Sequence, residues 1–208
     1  DFTRYPSARS HGGLCTGGGM LGMRFAYADP PYLDCCRLYD HFHGVEDRCW
    51  DDVETHRLLV ERLADEFPDG WAMSLSSTSL QRILSLCPSD VRVSVWCKTF
   101  SAFKKGVRPA YAWEPVIWRG GRNPAFGHPH APPEKGGKQN TPKDFHEEWH
   151  PSAGLFSPIT LKKGLTGAKP AAVCSWILDL LNVQPGDEVV DLFPGTGIMG
   201  EVVTERFA

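Results

Sequence analysis

The fold of this chain is decided by residues 23–32, MRFAYADPPY. The first six of these residues are mainly apolar and predict a buried strand. The two prolines predict that the strand ends there, because proline cannot continue a β-ladder. Asp29 and Tyr32 should therefore lie at the carboxyl end of a strand, which is where open α/β sheets bind ligands. A carboxylate, a proline carbonyl and an aromatic ring can together hold a planar amino group.

Helix-like and strand-like patterns alternate along the rest of the chain, which predicts a mostly parallel sheet with helices on its faces. Pro115 interrupts one apolar segment and indicates an edge strand or a bulge. The predicted elements are a helix over 51–67 capped by Asp51 or Asp52, a strand over 71–75, a helix from Ser77 or Thr78 to Leu86, strands over 91–97 and 111–118, a helix starting at Pro170, and a strand over 188–193.

Residues 191–197, DLFPGTG, form the second informative segment. A strand that runs into a glycine turn and then a helix is typical of nucleotide-cofactor binding. Gly195 and Gly197 would let the backbone approach a ligand closely. The alternative is a tight connection between strand and helix that binds nothing.

Composition limits the function classes. The 208 residues suffice for one domain, assigned to residues 23–208, while residues 1–22 suggest a flexible arm or a vector-derived remnant. The sequence contains no apolar run of about 18 residues, so we expect no membrane span. Seven cysteines without C-x-x-C spacing favour free thiols in a reducing compartment, and we expect no metal site.

A basic block interrupts an otherwise acidic chain. From Lys98 to Lys169 there are twelve Lys or Arg and five Asp or Glu, a local charge of +7. Within it, residues 119–157 are rich in Gly, Pro and His and predict a long basic loop. The block predicts a surface for a polyanion such as nucleic acid. The alternative is an ordinary solvated loop. Glu114, inside an apolar strand, should either pair with a base from the helices or face the substrate cleft.

Together the motifs resemble those of the S-adenosylmethionine-dependent amino methyltransferases that act on DNA bases. Residues 29–32, DPPY, resemble the catalytic motif of that family; residues 191–197 resemble its cofactor loop; and residues 167–170, GAKP, resemble the element that precedes the loop. The catalytic motif comes first, as in the circularly permuted adenine-N6 and cytosine-N4 enzymes. The resemblance implies an α/β, Rossmann-like methyltransferase core with permuted motif order.

The resemblance also implies a function: methyl transfer from S-adenosylmethionine to an exocyclic base amino group, with adenine N6 in DNA as the leading substrate. The alternatives are a non-catalytic nucleic-acid-binding relative and an RNA base methyltransferase. In the family the target base leaves the stack, its amino group meets the motif, and the tyrosine stacks on the ring. A cytoplasmic restriction-modification enzyme of a bacterium or phage would fit this description.

The resemblance assigns three groups of residues. The catalytic group is Asp29, Pro30, Pro31 and Tyr32. The cofactor-binding group is Asp191, Phe193, Gly195, Thr196, Gly197, Lys169 and Pro170. The nucleic-acid-binding group is Lys98, Phe100, Phe103, Lys104, Lys105, Arg119, Arg122, Lys135 and Lys138.

The sequence departs from the family pattern after Gly197. The family fold continues there with two further strands, whereas eleven residues follow in this sequence. We therefore expect a sheet that is incomplete at the C-terminus. Truncation, a homodimer or partner chain that completes the sheet, or a half-open cofactor site would each account for this.

Overall fold

A computed structural model describes residues 22–35, 50–99, 110–122, 154–159 and 168–208. Predictions for the N-terminal arm and for most of the long basic loop lie outside these ranges. The described elements are β1 (Arg24–Ala28), α1 (Val53–Glu66), β2 (Gly70–Ser74), α2 (Leu80–Leu84), β3 (Arg92–Lys98), β4 (Trp113–Gly120), β5 (Gly154–Ser157), α3 (Ala171–Leu180), β6 (Glu188–Asp191) and α4 (Ile198–Phe207). No helix among them is long and apolar enough to cross a membrane.

The six strands form one open sheet in the order β5-β3-β4-β2-β1-β6. Strand β1 pairs in parallel with β2 and with β6, and β3 pairs in parallel with β5. Only β4 runs antiparallel to its neighbours, β2 and β3. The predicted α/β class with a mostly parallel sheet is therefore confirmed. Strand β1 lies well inside the sheet, and β6 forms one edge of the part that is described.

Each face of the sheet is covered by its own apolar core. Phe25 and Tyr27 of β1 pack on one face with residues of α3 such as Val173 and Ile177. Ala26 packs on the opposite face with α1. Successive side chains of a strand point to opposite faces, so a strand covered on both sides is apolar throughout. This explains why residues 23–28 lack alternation, and it holds the end of β1 rigidly in place.

The helix starts follow local hydrogen bonds. Asp52 caps α1, and its Oδ1 accepts a hydrogen bond from the Glu54 amide at 3.1 Å, as predicted for one of the two aspartates. The second helix is shorter than predicted at both ends. Ser76 and Ser79 hydrogen-bond to each other through their hydroxyls at 2.9 Å, which holds residues 76–79 in a turn before α2 begins.

Two predictions about strands are wrong. Pro115 lies in an interior strand and not at an edge. Its carbonyl accepts from the Leu75 amide, so the missing N–H lies at the end of the pairing with β2, one residue beyond Ser74, and costs at most the last bond of that ladder. The predicted loop over 119–157 is also too long, since residues 119–120 belong to β4 and residues 154–157 form β5. Four residues are too few to show a strand period.

Candidate active site

Two carboxylates lie side by side at the carboxyl edge of the sheet. Asp29 directly follows β1, and Asp191 is the last residue of β6. The two strands are parallel neighbours in a register that pairs Tyr27 with Asp191. The Leu192 amide donates to the Tyr27 carbonyl at 2.9 Å, which continues the pairing past the strand end. The fold thus brings the two sequence motifs to one edge of the sheet.

Lys169 contacts the DPPY motif directly. Its Nζ donates to Asp29 Oδ1 at 2.7 Å and Oδ2 at 2.8 Å, and to the Tyr32 hydroxyl at 2.9 Å. Only 7% of the Lys169 side chain is exposed. The ammonium also lies 5.2 Å from the centre of the Tyr32 ring. The residue assigned to the cofactor from sequence therefore touches the predicted amino-group site.

Glu114 of β4 belongs to the same network, which the sequence did not establish. Its Oε2 lies 3.0 Å from the Tyr32 hydroxyl and 3.6 Å from Lys169 Nζ. Its Oε1 accepts a hydrogen bond from Lys98 of the neighbouring strand. Neither lysine lies in a helix, so the expected pairing with a helix base is wrong. We call Asp29, Tyr32, Lys98, Glu114 and Lys169 the charged network.

Burial disfavours the charge of both carboxylates of the charged network, but the lysines offset it to different extents. Burial raises the pKa of Asp29, and the nearby Lys169 ammonium offsets only part of that increase. Burial also disfavours the charged form of Glu114, but Lys169 and Lys98 outweigh it and hold the pKa of that carboxyl below its usual range. Asp29 is therefore the member that takes up a proton more readily.

The glycine loop presents open backbone. Gly195 and Gly197 have φ of 47° and 79°, in the left-handed region that favours glycine. A Cβ placed on Gly197 would meet no atom within 4 Å, and one on Gly195 would meet only the Phe193 carbonyl oxygen at 3.7 Å. Helix α4 begins directly after Gly197. The surface of the loop therefore has room for a ligand. The positive φ angles favour glycine at both positions, which leaves the backbone uncovered by side chains.

Asp191 is held in an environment that disfavours its charge. Burial, with a contribution from the Asp29 carboxylate, raises the pKa of Asp191 to about 6, although the Phe193 amide donates to its Oδ1 at 3.1 Å. The Phe193 ring packs edge-on against Trp50, with centroids 5.1 Å apart. Trp50 had no place in the sequence prediction, because it precedes α1 and shares no motif with the loop. A cation near Asp191 would restore its charged form.

The other predicted residues divide into two groups. Arg119 donates to both oxygens of Asp90 at 2.8 and 2.9 Å, and Arg122 pairs with the buried carboxylate of Asp187. Pro170 caps α3, and its carbonyl accepts from the Val173 amide. Their assigned roles stay predictions. The remaining nucleic-acid candidates lie outside the described residues: Phe100, Phe103, Lys104, Lys105, Lys135 and Lys138.

This arrangement of strands and helices is the Rossmann-like methyltransferase fold. The structure is similar to the crystal structure of M1.HpyAVI in complex with SAM, with a TM-score of 0.52 and 18% sequence identity over 89% of this chain and 79% of that one. The fold implied by the motifs is thus confirmed. A putative DNA modification methylase from Thermus thermophilus, complexed with S-adenosyl-L-methionine, matches at a TM-score of 0.45 and 15% identity, over 90% of this chain and 78% of that one.

The similarity is one of structure alone. No protein-family model matches the chain, and no curated protein matches its sequence. Function therefore has to be argued from the site itself.

Proposed function

We propose that the protein transfers a methyl group from S-adenosylmethionine to an exocyclic amino group of a nucleic-acid base, with adenine N6 in DNA as the leading substrate. One observation carries the proposal. The acceptor set of the DPPY motif and the open glycine loop lie at the ends of two adjacent parallel strands, β1 and β6. The similar fold of M1.HpyAVI, solved as a SAM complex, supports the same conclusion.

The residues around the loop fit a cationic cofactor. The Asp29 carboxylate is close enough to Asp191 to raise the cost of ionising Asp191. S-adenosylmethionine carries a sulfonium and an ammonium, and either charge would favour the ionised form of Asp191. Gly195, Thr196 and Gly197 would hold it through backbone close to the N-terminus of α4, whose dipole suits a carboxylate. Phe193 and Asp191 would complete the cofactor site.

The catalytic motif would position the amino group. The Asp29 carboxylate and the Pro30 carbonyl accept hydrogen bonds from the two N–H groups, and the Tyr32 ring stacks on the base. Bound S-adenosylmethionine supplies a methyl group on sulfur, which keeps the electron pair of the broken bond. The nitrogen gains the methyl group and loses a proton. Asp29 would accept that proton, because it is hydrogen-bonded to the amino group and because burial has raised its pKa. Orientation of this kind supplies much of the rate.

The experiment is transfer of tritiated methyl groups to matched DNA and RNA oligonucleotides. Asp29→Ala should abolish transfer and leave the affinity for S-adenosylmethionine nearly unchanged, because it removes an amino-group acceptor. Glu61→Gln on the exposed face of α1 is the matched control and should transfer methyl groups like the wild type.

Each other outcome assigns a different function. Methylation of RNA alone would favour the RNA enzyme, and methylated cytosine would move the target from N6 to N4. No binding of S-adenosylmethionine at millimolar concentration, together with retained affinity for DNA, would favour the non-catalytic relative. Full activity in Asp29→Ala would remove the role given to the motif.

A further inference from the structure

Both oxygens of Asp29 already hold a hydrogen-bond donor. Lys169 Nζ lies 2.7 Å from one and 2.8 Å from the other. If the proposed function is correct, a base amino group must reach the same carboxylate. The ammonium and the amino group are then competitors for it, and the ammonium has the advantage of its charge. A carboxylate oxygen can accept two hydrogen bonds, but the ammonium holds both oxygens of Asp29 at once, so a shift of Lys169 away from one of them would free that oxygen for the base.

A second acceptor lies next to the ammonium. Glu114 Oε2 is 3.6 Å from Lys169 Nζ, so a shift of less than about 1 Å would bring the two atoms to hydrogen-bond distance. Glu114 is itself held in place, because Lys98 binds its other oxygen and the Tyr32 hydroxyl lies 3.0 Å from Oε2. Its side chain is 18% exposed, so its attraction for the ammonium is only weakly screened.

We propose that Glu114 is a positioning residue that takes over the Lys169 ammonium when a base amino group binds Asp29. Lys169 holds the place of the amino group while the site is empty, and Glu114 gives it a second partner when the base arrives. The inference rests on the proposed function, since it names how that site admits its substrate.

Charge balance makes Glu114 necessary for this exchange. The charged network contains two carboxylates and two ammonium groups and is neutral overall. A base amino group is uncharged, so its arrival brings no new anion with which the Lys169 ammonium could pair. Without the Glu114 carboxylate, Asp29 would be the only anion of the network, and Lys169 would stay on it. The Asp29 charge also raises the pKa of three neighbouring groups on the elements packed around it: Tyr27 of β1, Cys174 of α3 and Asp191 of β6.

The test compares Glu114→Gln with the control Glu61→Gln in the full chain. The glutamine keeps the shape and one acceptor but loses the charge. We expect kcat/KM for an adenine-containing oligonucleotide to fall about tenfold, which corresponds to about 1.4 kcal/mol, mainly through KM for the oligonucleotide. The affinity for S-adenosylmethionine should stay within about twofold of the wild-type value. In a Lys169→Gln background the same change should cost less than about twofold, because the competing ammonium is gone.

A second measurement reports on the network without catalysis. The Asp29 carboxyl can be titrated by carbon NMR in the free protein. The Glu114 charge contributes to the raised pKa of Asp29, so Glu114→Gln should lower that pKa, while Lys169→Gln should raise it. A residue that only supports the fold would leave the titration unmoved, and thermal unfolding identifies a variant that has lost its structure.

The outcomes separate the inference from the proposed function. Wild-type protein that transfers no methyl group to any base would contradict the proposed function, and the titration would then decide whether Asp29 and Glu114 share the Lys169 ammonium. Active wild-type protein with an equally active Glu114→Gln variant would overturn the inference alone. An equal loss in both the wild-type and Lys169→Gln backgrounds would also overturn it, because Glu114 would then act independently of the ammonium.

Discussion

Replacing Asp191 by asparagine should stabilise the protein at neutral pH and weaken its hold on the cofactor. Burial raises the pKa of this carboxyl from its ordinary 3.8 to about 6, so the folded state disfavours the charge by about two pKa units. Each unit corresponds to about 1.36 kcal/mol, which gives an upper limit of about 3 kcal/mol. Asp191 is only partly buried, so solvent screening reduces the expected gain to about 1–2 kcal/mol.

The dependence on pH follows from the sign of the shift. A carboxyl whose pKa is higher in the folded state contributes stability that is fully present below the unfolded pKa and is lost as pH rises through the folded value. Wild-type protein should therefore lose stability relative to Asp191→Asn between about pH 4 and pH 7. The asparagine Oδ1 can still accept from the Phe193 amide, so that hydrogen bond is kept in both proteins.

Urea unfolding at pH 4 and pH 8, at one ionic strength, measures the difference. Glu188→Gln at the start of the same strand is the control, since its carboxylate is 60% exposed and its pairing with Arg24 should contribute less than about 1 kcal/mol. Calorimetry with S-adenosylmethionine completes the assay, and Asp191→Asn should bind more weakly. A variant less stable than wild type at pH 8, or a difference independent of pH, would refute the reasoning.

Two further predictions concern the glycine loop and the basic block. Gly197→Val should weaken S-adenosylmethionine binding at least about tenfold, roughly 1.4 kcal/mol, because φ is 79° at this position, and Gly200→Ala in α4, which meets no neighbouring atom, should bind normally in the same calorimetric titration. Neutralising Lys135 and Lys138 to glutamine should reduce the salt dependence of DNA binding by about one to two units of slope, measured by fluorescence anisotropy. Neutralising Arg57 and Arg62 of α1 is the control, and an equal loss there would show that net charge alone is responsible.

The long, strongly patterned elements could be predicted from the sequence. Strands β1 and β3 and helices α1 and α3 carry their signal locally, in apolar runs, alternation and one-faced spacing. Strand β5 could not be found this way, because it is four residues long and is held by pairing with β3. Pro115 suggested an edge strand, because the sequence does not show where β2 ends. In the fold the missing N–H of Pro115 lies at the end of the pairing with β2.

The site was predictable where residues are adjacent in sequence and unpredictable where they meet through the fold. Asp29 and Tyr32 lie in one motif, and their position follows from the end of β1. The contact between Glu114 and Lys98 depends on the register of β3 with β4, which pairs Trp96 with Glu114. The direction of the Lys169 side chain depends on how α3 packs against the sheet. A lysine before a helix predicts neither a carboxylate partner nor its identity.

The parallel pairing of β1 with β6 has a consequence for how the protein comes into being on the ribosome. The Met23 amide donates to Asp187 Oδ1 across a separation of 164 residues, and the two motifs meet only when that distance in sequence has been closed. Contacts of such range form slowly, since loop closure must precede them. Synthesis runs from the N-terminus, so the DPPY segment emerges long before the strand that lies beside it. The nascent chain therefore holds the DPPY motif without the glycine loop beside it, and the proposed activity can begin only after residues 188–197 have left the ribosome.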